Sequence, residues 1–285
     1  MPIDPSASVA ATARVHPGAV IGPQCVIGEY CVIEQDVVLG RGNRLEPYVY
    51  LKPWTTLGDQ NELSAGVVLG TDPFDKAFDG RRSYLHIGSR NKIREHWTIS
   101  RGTKPEAVTR VGDDNFIMGS GHIAHDCQVG NQCTIASCTL LAGYVVVEDQ
   151  AFLSGGVVVH QYSRIGRLAM VGGNTRVNSD LPPFFLYTDF HVAPRGLNVV
   201  GLRRAGFAAS DVKLLKQAYR LLYRSGLGQQ DALREMQATL PSPHIEHLVD
   251  FIERSRRGIA RETGKKMHSE AADSPLDGAE RWHKR

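Results

Sequence analysis

Several things that would name a function quickly are missing from this chain. No stretch approaches the roughly 18 consecutive apolar residues of a membrane span, and Met1 to Ala13 carries no basic segment leading into an apolar one. The 33 basic and 30 acidic residues nearly cancel to a net +3, too balanced for a general nucleic-acid or membrane binder. Five cysteines, an odd number in 285 residues, make a poor disulfide framework. No Gly-x-Ser-x-Gly elbow is present to supply an acyl nucleophile. The expectation is a cytoplasmic protein with no membrane span, no nucleic-acid partner and no resident cofactor or metal.

What the chain has instead is a period. Aliphatic residues recur at every sixth position from Ile3 to Leu69, again at Ile87, Ile93 and Ile99, and from Val111 to Val177. A helix needs apolar residues three and four apart, and an ordinary strand alternates briefly and stops. A six-residue period is the signature of a parallel β-helix, with three hexads to a coil of 18 and about ten coils stacked roughly 4.8 Å apart. Four positions after each aliphatic the residue is often small, as at Ala19, Cys25, Cys127, Cys133 and Ala151, which fits a crowded inward slot. The paired cysteines are therefore read as packing rather than metal ligands. Glycine directly after the aliphatic, as at Gly22, Gly40, Gly58, Gly130 and Gly166, is read as a corner needing an unusual backbone angle.

The aliphatic test fails over residues 71–86 and 101–110, which are read as loops thrown out from a 1–190 solenoid. Helical spacing follows in a 191–261 domain. Ser210 is expected to cap a helix to about Arg224 with Val212, Leu215, Tyr219 and Leu222 on its apolar face. Further helices are expected over about 229–239 and 243–257, and a mobile tail over 262–285.

The 18-residue coil places distant residues side by side. His125, Gly143 and Gln161 share one column, flanked by the Asp126–Tyr144–Tyr162 column and by His160, with His122 three positions before His125. This grouping has the parts of a general-base site: His125 to take a proton from a hydroxyl, Asp126 to fix its tautomer, and the Gly143 N–H for an oxyanion. The same residues also admit a solvated row, or a zinc site of His122, His125 and His160. Lys213, Lys216, Arg220 and Arg224 fall at helical spacing opposite the apolar stripe, a dock for an acidic carrier or simply a solvated basic face.

The run from Gly121 to Val145, with His160–Gly166, Val171–Val177, Asp180–Phe184 and His191–Phe207, resembles the acyl-carrier-protein-dependent UDP-N-acetylglucosamine O-acyltransferases of lipid A biosynthesis, over most of the chain to about Arg261. The resemblance implies a left-handed parallel β-helix with a helical C-terminal domain, assembled as a homotrimer. It implies acyl carrier protein and a UDP-sugar as substrates, with acyl transfer to the sugar 3-hydroxyl. It implies His125 as base, Gly143 as oxyanion donor, and His122, Tyr144 and His160 in the pocket. Lys76 would help bind the sugar nucleotide or the donor, Gln161, Asn198 and Arg204 would bind the nucleotide, and Gly173 and His191 would accommodate the acyl chain. The sequence departs from the family at Phe74, Tyr144, Val200 and Ala205, where an acid, a histidine, an acid and an arginine are usual, so the acceptor pocket is altered. The alternatives are a related sugar-nucleotide N- or O-acyltransferase, a non-catalytic paralogue, and a metal-dependent hydratase of carbonic anhydrase type.

Overall fold

The computed structural model describes residues 3–261; the expected tail over 262–285 lies outside the described residues. The hexads become two- to four-residue strands that wind into a three-sided prism of 11-, 9- and 8-stranded sheets. Neighbouring coils pair in parallel and in strict register. Thr134 faces Phe152 and Val146 faces Arg164, an 18-residue step in each case. Across the two loops the step widens, from Glu62 to Lys92 and from Lys92 to Phe116, so the loops insert twelve and six residues without losing the hexad phase.

Inside the prism, Ile21, Leu39, Leu57, Ile87, Val111, Val129, Val147 and Ile165 stack as one aliphatic column, each almost fully buried. At about 1.5–3 kcal/mol for each large aliphatic side chain buried, such columns are the main source of cohesion. The small slot holds a second device that the search for small residues overlooks. Asn43, Asn61, Asn91 and Asn115 occupy it in successive coils and form a buried ladder. The amide Nδ2 of Asn61, Asn91 and Asn115 donates to the Oδ1 of the preceding asparagine and to a corner carbonyl, as Asn91 does to Asn61 and Gly112, while that of Asn43, the first rung, donates to the Gly40 and Gly58 carbonyls. Each Oδ1 also accepts the backbone N–H of the next coil. The cysteines of this slot are buried thiols. Cys127 and Cys133 donate to the carbonyls of Ala142 and Glu148, and burial pushes both up to about 12.

The corner glycines have a different cause from the one expected. The left-handed residue of each corner lies three positions after the aliphatic: Gln24, Tyr48, Trp54, Asp126, Tyr144 and Tyr162 all have φ between 55° and 65°. The glycines directly after the aliphatic are instead excluded from bearing a side chain by the coil above. A Cβ on Gly22 would lie 2.5 Å from the carbonyl oxygen of Gly40, and one on Gly40 would lie 2.7 Å from that of Gly58.

The loops are shorter than expected, because strands Val68–Thr71, Tyr84–Ile87 and Val108–Val111 continue into the predicted gaps and leave 72–83 and 101–107. The sheet also runs past residue 190. Phe185–Thr188 pairs antiparallel with Ala193–Leu197, so the helical part begins at α1 (Val199–Arg204), too short to register as a period. Helices α2 (Ala209–Arg224), α3 (Gln229–Thr239) and α4 (Pro243–Glu253) follow. Ser210 is inside α2; the cap is Ala208, whose N–H donates to the Asp211 carboxylate at 3.3 Å. Helix α4 stops at Glu253, before the expected 257. These helices close the last coils of the prism: Arg164 lies 4.1 Å over the Phe251 ring, and His247 meets Glu148 at 2.9 Å. Among the described residues no helix is long and apolar enough to cross a membrane.

Candidate active site

One turn of each coil joins the 9-stranded to the 8-stranded sheet. His125 and Asp126 form that turn between strands Gly121–Ile123 and Gln128–Val129, and both inserted loops leave the prism at the same corner in the coils just before. Here the sixfold register brings together what it was expected to. His125 is 8% exposed, and its Nδ1 lies 2.9 Å from the Asp126 carboxylate. Gly143 sits one coil on, so close that a Cβ on it would be 2.7 Å from His125 Nε2. Its N–H enters no hydrogen bond among the described residues. Burial alone would raise the Asp126 carboxyl. Hydrogen bonds from His125 and Thr103 outweigh it and hold the carboxyl below its ordinary value. Asp126 is thus an acceptor, which puts the imidazole proton on Nδ1 and leaves Nε2 as the basic nitrogen.

His122 lies on the neighbouring strand. Its Nδ1 is 2.7 Å from Thr98 Oγ1, its buried Nε2 has no partner, and the Phe74 ring from the 72–83 loop stacks on it at 4.8 Å. Burial lowers its pKa below the ordinary imidazole value. Lys76 is exposed in the same loop. Tyr144 stands edge to face with His125 at 5.3 Å and stacks on Tyr162 at 4.7 Å. His160 and Gln161 are exposed, the His160 ring bonded to the Gln161 carbonyl at 3.1 Å. No three His, Cys, Asp or Glu side chains among the described residues are grouped to hold a metal ion.

From His122 an open strip runs up the 9-stranded sheet through Leu140, Val158 and Arg176, which are in register. Leu140 and Val158 are 45% and 44% exposed. His191 bridges to Arg176 at its far end, and Gly173 forms the bordering corner, where a Cβ would approach the Gly155 carbonyl to 3.2 Å.

Two predicted residues lie elsewhere in the chain. Asn198 and Arg204 begin and end α1 over the next corner. The Asn198 amide is engaged there: Oδ1 caps the helix at Gly201 N and Nδ2 donates to the Leu168 carbonyl. Arg204 is exposed, as is Val200, and Ala205 follows the helix. On α2, Lys213, Lys216, Arg220 and Arg224 form an exposed row, and the last three line a groove of about 280 Å³ with Leu197, Val199 and Tyr219.

The search for histidine columns missed Thr103 and Arg101, both in the second loop. Arg101 is 5% exposed, held between the Trp54 and Phe78 rings at 4.7 and 4.9 Å and paired with Asp72 at 2.8 Å. It thereby ties the 72–83 loop to the prism. The signal was positional: an insertion at the corner directly before the histidine turn.

A stacked prism with a histidine–carboxylate pair and a free glycine N–H at one corner defines the hexapeptide-repeat acyltransferases as the class. The comparisons narrow it. The profile of the family described as "Udp N-acetylglucosamine O-acyltransferase; Domain 2" matches residues 180–260. The acyl-(acyl-carrier-protein)–UDP-N-acetylglucosamine O-acyltransferase of Synechocystis sp. is 43% identical over 201 residues, 70% of this chain and 73% of that protein. The enzyme of the same name from Alkalilimnicola ehrlichii is 46% identical over 196 residues, 68% and 76% of the two chains. The UDP-N-acetylglucosamine acyltransferase structure from Bacteroides fragilis is 37% identical, covers 89% of this chain and all of its own, and superposes with a TM-score of 0.87. The Arabidopsis structure is 34% identical, covers 90% of this chain and 99% of its own, and gives 0.76. The chain belongs to the acyl-carrier-protein-dependent UDP-N-acetylglucosamine O-acyltransferase family, and its fold is the left-handed parallel β-helix with a helical C-terminal domain.

Proposed function

We propose that the chain transfers a (3-hydroxy)acyl group from acyl carrier protein to the 3-hydroxyl of UDP-N-acetylglucosamine, with His125 as general base. The observation that carries this reading is the His125–Asp126 pair with Gly143 stacked against the ring. Nε2 of His125 takes the hydroxyl proton as the sugar oxygen attacks the thioester carbonyl. The Gly143 N–H receives the developing oxyanion. The carbon–sulfur bond then breaks, and the carrier thiolate recovers the proton from the imidazolium. Acyl carrier protein is a substrate, and the sequence of steps needs no cofactor or metal.

His122, Tyr144, His160, Gln161 and Lys76 line the acceptor side. Phe74, standing where the family carries an acid, covers His122 with a ring instead of a charge. The strip from Leu140 to Gly173 and His191, about three coils or roughly 14 Å long, offers the acyl chain a bed that is apolar at Leu140 and Val158. The groove on α2, with the Lys213–Arg224 row, is the dock for the acidic carrier.

Asn198 and Arg204 complete the nucleotide site only from a second copy. Their corner and the His125 corner flank the same 8-stranded face, which carries a shallow concavity of about 480 Å³ lined by His86, Arg110, Gln128 and Val146. A rotation that sets one copy's α1 against the next copy's His125 is heterologous, and such a contact makes a ring when its rotation closes, which we read here as a homotrimer. We place the protein in the cytoplasm, where acyl carrier protein and nucleotide sugars meet.

Transfer from acyl carrier protein, assayed against a panel of UDP-sugars, tests the reading. UDP-N-acetylglucosamine should be acylated on oxygen, and His125→Ala should lower kcat by about 10²–10⁴-fold. Full activity in that variant removes His125 as base; acylation of an amine instead moves the chain to the N-acyltransferase alternative.

A further inference from the structure

The 101–107 loop sends one side chain into the catalytic corner. Thr103 is 9% exposed; its Oγ1 is 2.8 Å from Asp126 Oδ2 and 2.9 Å from the Tyr144 hydroxyl, and its N–H reaches the same carboxylate at 3.2 Å. Proton counting gives these contacts a direction. An ionised carboxylate only accepts, so Thr103 must give its single hydroxyl proton to Asp126. The Tyr144 hydroxyl must then donate to Thr103. On the other side the carboxylate accepts the His125 Nδ1 proton at 2.9 Å. Three donors, the Thr103 hydroxyl and N–H and the His125 Nδ1–H, thus meet on one carboxylate oxygen, and the chain from Tyr144 through Thr103 and Asp126 to His125 runs one way.

A histidine at 144 would not enforce that direction, since imidazole can accept as readily as donate and titrates near neutrality. Tyrosine has one proton to give, and burial raises its pKa further above the working range. The substitution at 144 therefore belongs with the threonine.

We propose that Thr103 is a positioning residue for acyl transfer: with Tyr144 behind it, it fixes the Asp126 carboxylate so that His125 presents an unprotonated Nε2 beside Gly143. This rests on the reading of His125 as base. The Thr103 side chain is spent on Asp126 and Tyr144, so its removal acts on kcat and on the pH profile of transfer, with little effect on KM.

The sign of the titration follows from charge. Asp126, His122 and Tyr144 are the titratable groups facing the His125 ring. Burial disfavours the charged form of both His122 and Tyr144, so the Asp126 carboxylate is the charge that bears on the imidazolium. Taking away a donor leaves the carboxylate charge less compensated, which favours imidazolium and moves the acid limb of kcat/KM upward.

The experiment is the pH dependence of transfer from acyl carrier protein to UDP-N-acetylglucosamine for the wild type and for Thr103→Val, Thr103→Ser, Tyr144→Phe and His125→Ala. Thr103→Val should lose roughly 10-fold or more in kcat, within the range of a general-base contribution. Its acid limb should rise, with KM for the sugar nucleotide within about twofold. Thr103→Ser restores both, and Tyr144→Phe shows a smaller shift in the same direction. Thr103→Val with wild-type kcat and an unmoved acid limb, whatever its melting temperature, overturns the proposal. So does a serine variant that folds and fails to rescue. An active His125→Ala would instead overturn the base itself, a distinct failure.

Discussion

Gly143→Ala is the sharpest perturbation the geometry offers. The added methyl would sit 2.7 Å from His125 Nε2 and 3.0 Å from Nδ1, and nearer still to the ring carbon between them. Unstrained heavy-atom contacts lie at about 3.5 Å, so the imidazole must retreat by roughly 1 Å. It has no slack on its other side, where Nδ1 is bonded to Asp126, itself fixed by Thr103 and by Thr109 Oγ1, which accepts the Asp126 N–H. A displacement of that size at a reacting group costs on the order of 10²-fold in rate. The φ of Gly143 is outside the left-handed region, so alanine meets no backbone penalty there and folding should survive. The assay is kcat and KM for acyl transfer with the melting temperature alongside, and with Gly119→Ala as control. Gly119 holds the equivalent hexad position four corners earlier, where the nearest atom to a new Cβ is 3.6 Å away. The control should be silent. Wild-type kcat in a folded Gly143→Ala protein would mean that the ring does not work from the place the structure gives it.

Asn91→Ala removes two donors and an acceptor from the buried ladder: the Asn115 backbone N–H loses its acceptor, the Asn115 amide keeps only the Gly130 carbonyl, and the Gly112 carbonyl loses a donor, while Asn61 Oδ1 keeps the residue-91 N–H; a loss of about 2–4 kcal/mol is expected, read by denaturant titration. Arg101→Ala frees the 72–83 loop, so trypsin should cut at Lys76, Arg81 and Arg82 sooner than in the wild type, and KM for the sugar nucleotide should rise more than kcat falls. Asp126 has its folded pKa held below the ordinary 3.8, so its contribution to stability is present above that value and is lost as pH falls through the lower one. Asp126→Asn should therefore be less stable than the wild type near neutrality, with the gap closing below pH about 4 in an acid-melting series. Charge reversal at Lys213 and Lys216 should raise KM for acyl carrier protein several-fold at low salt and leave KM for the sugar nucleotide unchanged; equal carrier affinity would remove the dock.

The sixfold period was enough to stack His125, Gly143 and Gln161, because an 18-residue coil turns a difference in residue number into a place on a surface. It was not enough to explain the corners. Glycine after each aliphatic suggests an unusual φ, and only the coil-to-coil distance shows that Gly22 and Gly40 are fixed by the carbonyl above them. The asparagine ladder escaped because a buried amide does not look small or apolar; Asn43, Asn61, Asn91 and Asn115 share the cysteines' slot through hydrogen bonds that a single hexad cannot reveal. Thr103 and Arg101 sit in a segment without period, where only position relative to the histidine turn pointed to function. The cap of α2 was misplaced because Ser210 is the commoner capping residue, whereas the Asp211 carboxylate binds back to Ala208 N.

The separation of inward from outward positions has a consequence for how such a protein changes over time. The aliphatic and asparagine slots carry cohesion. His122, His125, Asp126, Tyr144, Gln161 and Gly173 occupy the remaining places in the hexad, on strand exteriors and turn tips. A substitution such as phenylalanine at 74 or tyrosine at 144 therefore rewrites the reactive surface while the columns beneath keep their own grammar. Substrate preference can drift here by single replacements, each leaving the scaffold beneath it intact.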